Sequence, residues 1–471
     1  MSIYFYPRHE ASFNMNRTLL LGPPGCGKTT RLLTEIENRL ETGTPPNRIA
    51  YVSFTRASVR DARQRASERF NYSQDLFPWW RTLHSLCFHA LGLRRSDVFG
   101  REHLRALEEL TGEQLSGHVD LDAPTIGDRG DALLFFDQYA RNTLQPLEIA
   151  WQRFGGYVDW FRLKRFAAAY QQLRLDRMTF DFTDMLERYA DRHDPDVGPI
   201  DVDVAFIDEA QDLTPLQWQV VRRAFGNVPE VYVAGDDDQG VFAWAGADVS
   251  ALLAFRGTRE VLGQSHRLPK PIYDLASTIS HRIVRRNEKT WRPATHAGTI
   301  DWLRRPDDVS FDGGDEWLLL ARTRRQLNGL ANLARSRGVP YSVLGRSAID
   351  PEHVRLILEH EHHRREDPSM PIWHDALTDI PLEDREYLLS CLRRGEKINA
   401  ERPRVRIETI HGSKGLEAPK VLMLTDISDK VRRGMELDPD AENRVLYVGL
   451  TRASRDLMLV TPKRSSHGYR I

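Results

Sequence analysis

The sequence predicts an α/β fold of two parallel-sheet domains, each carrying a helical insertion. Three observations predict it. Apolar runs of strand length alternate with helical patterns in two stretches of the 471-residue chain, the mark of parallel sheets covered on both faces. One such run, Thr18–Leu21, leads through Gly22-Pro-Pro-Gly-Cys-Gly-Lys28-Thr29 into a helical pattern over Thr30–Leu40. Another, Val202–Ile207, ends on adjacent carboxylates, Asp208 and Glu209. A chain of this length exceeds one hydrophobic core, so two to four domains are expected.

The elements follow in order. Strand Arg48–Ser53 leads into a helix over Arg56–Phe70. Strand Val202–Ile207 precedes helix Thr214–Phe225, and strand Glu230–Ala234 ends in Gly235-Asp-Asp-Asp-Gln239. The second set is Trp317–Leu320 with a helix after it, then Arg404–Glu408, Lys420–Leu424 and Asp456–Val460. The first domain is expected at 1–85 and 201–261, and the second at 262–345 and 402–471. Between their halves lie segments of different texture. Residues 86–200 are rich in helix formers and aromatics, and residues 346–401 are short and highly charged. The latter contain Glu359-His-Glu-His-His363. On a Glu/Arg-rich helical pattern, a solvated face is preferred over a metal site.

The glycine-rich segment is a complete G-x-x-x-x-G-K-T phosphate loop in the strand–loop–helix context its chemistry needs. Backbone N–H groups and a helix N-terminus together cradle phosphates. Gly22, Pro23, Pro24, Gly25, Cys26, Gly27, Lys28, Thr29 and Thr30 are the expected nucleotide contacts. Lys28 is expected on the outer phosphates and the Thr29 hydroxyl on Mg²⁺. Asp208 would hold the metal shell, and Glu209 would orient or deprotonate the attacking water. Together these predict hydrolysis of a nucleoside triphosphate.

Composition bounds the partners. Lys+Arg 66 against Asp+Glu 67 leaves a formal net charge of −1, so nucleic-acid binding must come from a local groove rather than a global basic field. Cys26, Cys87 and Cys391 form neither a disulfide framework nor a metal-like pair. Loop backbone and Lys28 could lower the Cys26 thiol pKa, but a small tolerated loop residue is the preferred reading. Residues 1–10 lack a signal-peptide core and no apolar run reaches membrane-spanning length; a soluble cytoplasmic protein is expected.

Further motifs define the class. Gln239 could sense a terminal phosphate, and Phe242 and Trp244 follow it closely, where aromatics suit base stacking; ordinary core packing is the competing reading. Then come Gln264-Ser-His-Arg267, Thr409-Ile-His411-Gly-Ser-Lys414-Gly-Leu-Glu417 and Tyr447-Val-Gly-Leu-Thr451-Arg452. Arg267 and Arg452 could act as guanidinium fingers on a transferring phosphoryl group.

These blocks, with Val52-Ser-Phe54-Thr55, Thr82-Leu-His84-Ser85 and Phe180-Asp-Phe-Thr-Asp-Met-Leu186, resemble in type and order the UvrD/Rep-like branch of superfamily 1 DNA helicases. The resemblance implies two RecA-like domains, ATP and Mg²⁺ as cofactors, and single-stranded and partial-duplex DNA as partners. It implies catalytic roles for Glu209, Gln239, Arg267 and Arg452, with Glu417 near the nucleotide sugar. Phe54, Thr82, His84, Phe242, Trp244, Thr409 and His411 match positions that line the family's single-strand track. The expected cycle closes the two domains on ATP, reopens them after hydrolysis, and travels 3′→5′. A translocase that strips proteins without efficient unwinding, or a nucleotide-gated binder, are the alternatives. The sequence departs from the family twice: residues 1–16 hold no Gln for an adenine-binding segment, and Ala245 stands where an arginine is usual. Residues 346–401 are also too short for the family's large regulatory subdomain, so their removal is expected to change unwinding modestly.

Overall fold

The structure is a computed structural model that describes residues 16–116, 130–154, 158–195 and 197–471. The stretch expected to lack an adenine-binding Gln therefore lies, but for Asn16, outside the described residues, as do parts of 86–200. Two compact units are present: Met1–Gly263 with Asn287–Trp291, and Gln264–Arg286 with Arg292–Ile471. Among the described residues, no helix is long and apolar enough to cross a membrane.

The first unit holds a six-stranded sheet of β1 (Asn16–Leu21), β2 (Ile49–Ser53), β3 (Trp80–Thr82), β4 (Val204–Ile207), β5 (Glu230–Gly235) and β6 (Thr258–Val261). Its order is β3-β2-β4-β5-β1-β6, with every pair parallel. The side-chain period of two divides each central strand between two cores. Leu19, Leu21, Val52, Ile207 and Val233 pack on one face with Leu86, Met185 and Leu216. Leu20, Tyr51, Phe206 and Ala234 pack on the other with Leu32, Ile36, Ala62 and Trp80. Because all strands run the same way, the loops after β1, β2, β3, β4 and β5 gather at one carboxyl edge.

Helices Arg101–Thr111, Gly130–Asn142, Leu147–Arg153 and Trp160–Arg177 form a lobe around Leu107, Leu133, Phe136, Leu163, Phe166 and Tyr170. Helices Leu83–Ala90 and Phe182–Ala190 instead bury Leu86, Cys87, Met185 and Tyr189 in the sheet core. The Phe180–Leu186 motif is a joint between the two. Asp181 caps its helix by accepting from Asp184 N–H. Arg141 of the lobe reaches Asp181 at 2.8 Å and Glu187 at 2.7 Å.

The second unit holds a seven-stranded sheet of β7 (Thr299–Leu303), β8 (Trp317–Ala321), β9 (Tyr341–Val343), β10 (Arg346–Ser347), β11 (Val405–Thr409), β12 (Ala418–Leu424) and β13 (Ala453–Val460). Its order is β10-β9-β11-β8-β12-β13-β7, and only β9–β10 is antiparallel. Helices Pro351–Glu366, Trp373–Ala376 and Leu382–Arg393 occupy most of 346–401. Pro351 does not break its helix but opens it at the first turn, where its missing N–H costs nothing. Val354, Ile357, Trp373, Tyr387, Leu388 and Cys391 from this segment lie in the same core as Trp317, Leu319 and Ile407. His362 and His363 are exposed.

Candidate functional site

Gly22 through Gly27 connect β1 to helix Lys28–Glu41. A Cβ on Gly22 would lie 2.1 Å from Lys28 Cγ, so only glycine admits the lysine stem there. Gly27 takes φ 78°, a left-handed conformation natural to glycine, and offers the helix no side-chain cap. The first-turn N–H groups are therefore left to an anion. Lys28 Nζ donates to Gly22 O at 2.8 Å. Burial works against its charge, but Glu209 and the neighbouring acidic groups outweigh that and hold its pKa above the ordinary value. Cys26 is buried, and burial pushes its thiol up rather than down; an activated thiolate is set aside.

Asp208 leaves the carboxyl end of β4 fully buried. Its Oδ2 accepts from Thr29 Oγ1 at 3.1 Å and from Tyr51 OH at 2.6 Å, and its Oδ1 from Glu209 N–H at 2.9 Å. Burial and the adjacent Glu209 charge raise its pKa. Glu209 sits at φ 54°, an uncommon conformation for a side-chain-bearing residue. Gln211 Nε2 donates to Glu209 Oε2, and Gln211 Oε1 accepts from Asp236 N–H at 3.0 Å. Gln239 Nε2 donates to Asp236 Oδ2 at 2.6 Å. One hydrogen-bonded chain thus joins Glu209 to Gln239.

The donor set suits a hard divalent cation. Thr29 and Asp208 bring two oxygens together beside the phosphate loop. Among the described residues no group of three or more His, Cys, Asp or Glu forms a self-sufficient metal cage. Mg²⁺ characteristically takes one or two protein oxygens, with substrate phosphates and water completing its shell.

The expected DNA residues divide. Phe54, after β2, stacks on Phe242 at 5.4 Å between ring centroids, and His84 meets Phe182 edge-on at 5.8 Å. Burial lowers the His84 pKa to about 4. Thr82 ends β3 and caps the next helix by accepting from Ser85 N–H. Trp244 is half-buried against Phe135, Tyr139 and Ala150 of the helical lobe. In the second unit, Thr409 and His411 are buried at the carboxyl end of β11. Thr409 Oγ1 accepts from Gly412 N–H at 3.0 Å.

Arg267, Glu417 and Arg452 come together away from that turn. Ala418 of β12 pairs with Ala453 of β13, which sets Glu417 and Arg452 side by side at the amino ends of their strands. Arg267 Nη2 pairs with Glu417 Oε2. Arg452, 1% exposed, donates to Val448 O at 2.9 Å, Leu416 O at 3.2 Å and Thr451 Oγ1 at 3.1 Å.

Sequence reasoning missed two residues. Tyr51 reads as core in an apolar strand, yet its hydroxyl holds Asp208; a phenol inside an otherwise aliphatic run was the available signal. Lys289 lies in the charged run Arg285-Arg-Asn-Glu-Lys289, which reads as surface, but its side chain is 1% exposed.

Residues 8–259 match the model of the UvrD/REP helicase N-terminal domain, and residues 382–464 that of the UvrD-like helicase C-terminal domain. The chain is similar to the ATP-dependent DNA helicase PcrA of Bacillus subtilis (strain 168), 26% identical over 72% of this chain and 50% of that protein. It is also similar to the putative ATP-dependent DNA helicase YjcD of the same organism, 25% identical over 59% of this chain and 38% of that protein. An arterivirus nonstructural protein 10 (helicase) shares 13% identity over 96% of this chain and 61% of that one, at a TM-score of 0.39 too low to build on. The chain spans half or less of the length of these two curated relatives. With the first family model matching more than half of its residues, the protein belongs to the UvrD/REP helicase family.

Proposed function

We propose that this chain is an ATP-driven DNA motor that travels on one strand, 3′→5′, and separates duplex. The observation that carries the reading is the convergence of Lys28, Thr29, Asp208, Glu209 and Gln239 at the carboxyl edge of one parallel sheet. Lys28 exchanges its carbonyl contact with Gly22 for the outer phosphates. Thr29 and Asp208 would hold Mg²⁺, which neutralises charge on the phosphate oxygens when bound. Glu209, tethered by Gln211, orients or deprotonates the attacking water, and Gln239 contacts the terminal phosphate. Arg267 and Arg452 stabilise charge developing on the transferring phosphoryl group. Phe54, Phe242 and Trp244 offer stacking surfaces to single-strand bases, which tolerate any sequence because every base has a π-face. The nucleotide state alters the grip on the strand through the loops that carry both sets of residues, since Gln239 and Phe242 lie only three positions apart.

The test is unwinding of partial duplexes bearing either a 3′ or a 5′ single-stranded tail. Unwinding that depends on ATP and on the 3′ tail is expected. Strand-stimulated hydrolysis without unwinding would replace the helicase by a translocase. Unwinding from the 5′ tail alone would reverse the direction.

A further inference from the structure

We infer that Lys289 is a positioning residue for the phosphate-sensing loop, acting through Asp236 on Gln239. The inference rests on the nucleotide-hydrolysis reading above and adds to it a residue outside the recognised motifs. Lys289 is carried on Asn287–Trp291, the short segment that returns to the first unit after Gln264–Arg286. Its Nζ lies 2.7 Å from Asp236 Oδ1, 2.7 Å from Asp237 Oδ1 and 2.9 Å from Asp238 Oδ2. An ammonium has three donors; here Asp236 and Asp237 accept hydrogen bonds from it, and Asp238 faces it as an ion pair. The same segment supplies Asn287 N–H to Asp237 Oδ2 at 2.7 Å.

Three adjacent buried carboxylates repel one another and pay for desolvation unless a cation joins them. Burial opposes ionisation of Asp236, but the Lys289 and Lys28 charges outweigh it and hold its carboxyl below the usual range. An ionised carboxylate only accepts hydrogen bonds. Gln239 must therefore turn its NH₂ toward Asp236 Oδ2, the 2.6 Å bond observed. Lys289 in this way fixes which end of the Gln239 amide faces inward. The Asp236 N–H extends the same network through Gln211 to Glu209. A residue some fifty positions downstream thus sets the pose of the two groups proposed to meet the terminal phosphate and the attacking water.

The experiment is a double-mutant cycle on strand-stimulated ATP hydrolysis by the full chain, with Lys289→Met, Gln239→Ala and the double variant. ADP affinity is measured alongside. Misplacing a reacting group by an ångström can cost 10²-fold, so Lys289→Met is expected to lower kcat by about 10- to 100-fold with ADP affinity little changed. The double variant is expected to be no slower than Gln239→Ala. Multiplying losses, or an unchanged kcat in folded Lys289→Met protein, overturn the inference alone. Absence of hydrolysis by the unaltered protein overturns the nucleotide reading and this inference with it. If Lys289→Met does not fold, Asp236→Asn carries the same cycle. It is isosteric and removes one buried charge, and the same non-additivity with Gln239→Ala is expected.

Discussion

Arg267 and Glu417 form an ion pair on the second unit, and the carbonyl of Leu416, one residue before that glutamate, accepts a hydrogen bond from Arg452 at 3.2 Å. Two arginines expected to serve phosphoryl transfer are thus held by two adjacent residues just ahead of β12. Arg267 uses one guanidinium nitrogen, Nη2, for this pair, whereas Arg452 donates from all three of its nitrogens to Val448 O, Leu416 O and Thr451 Oγ1.

Arg267→Ala and Arg452→Ala are each expected to lower kcat far more than nucleotide affinity, since such an arginine is worth about 10³–10⁵ in related phosphoryl transfers. Arg452→Ala should also lower the melting temperature, because its buried side chain ties Leu416, Val448 and Thr451 together. Steady-state kinetics with parallel melting curves check both. Lost affinity at an unchanged kcat would make either residue a ground-state contact.

Trp244→Ala is expected to weaken single-strand binding by about 1–3 kcal/mol, the worth of one stacking platform, and to spare hydrolysis without DNA. The indole also leans on Phe135, Tyr139 and Ala150, so stability is measured alongside. Lost stability with unaltered DNA affinity would confine Trp244 to packing.

The contribution of His84 and His411 to stability is expected to rise with pH across the acidic range. Burial lowers the His84 pKa to about 4 from 6.5, and burial with the Arg322 charge holds His411 well below 6.5. Between these values the unfolded chain binds protons at these two sites that the folded one refuses, so their contribution is full well above pH 6.5 and declines below it, while Asp184, raised to about 6 by burial and the Asp181 charge, contributes in the opposite direction. Urea midpoints at several pH values give the slope, and His411→Asn should flatten it. An unchanged slope in that variant would remove His411 from the account.

Deleting residues 350–399 is expected to cost the second unit its cooperative melt. Trp373→Ala alone should destabilise it by about 3–5 kcal/mol, as large-to-small core changes do. From the sequence, a short and highly charged segment suggested that its removal would change unwinding only modestly. In the fold its apolar minority, Val354, Ile357, Trp373 and Leu388, closes the sheet core. A deleted protein that still melts cooperatively would show that this packing is dispensable.

The central strands were legible because parallel strands buried on both faces read as apolar runs, as Leu19–Leu21 and Trp317–Leu320 do. Edge strands were not. Thr258–Val261 and Thr299–Leu303 are largely exposed and mix charge with apolar residues, so nothing in them marks a strand. The phosphate-loop and acidic-strand residues were legible because their chemistry fixes both residue type and spacing. Lys289 and Tyr51 were not, since what brings them to Asp236 and Asp208 is long-range pairing. The burial of Arg452 follows from the Ala418–Ala453 register, which no local pattern encodes.

The most direct measurement is ATP hydrolysis with and without single-stranded DNA, by the unaltered protein and by Lys28→Ala. Hydrolysis stimulated by the strand, and abolished by Lys28→Ala without change in circular dichroism, is the result the phosphate-loop geometry predicts. Near-normal stimulated hydrolysis by folded Lys28→Ala protein would contradict it.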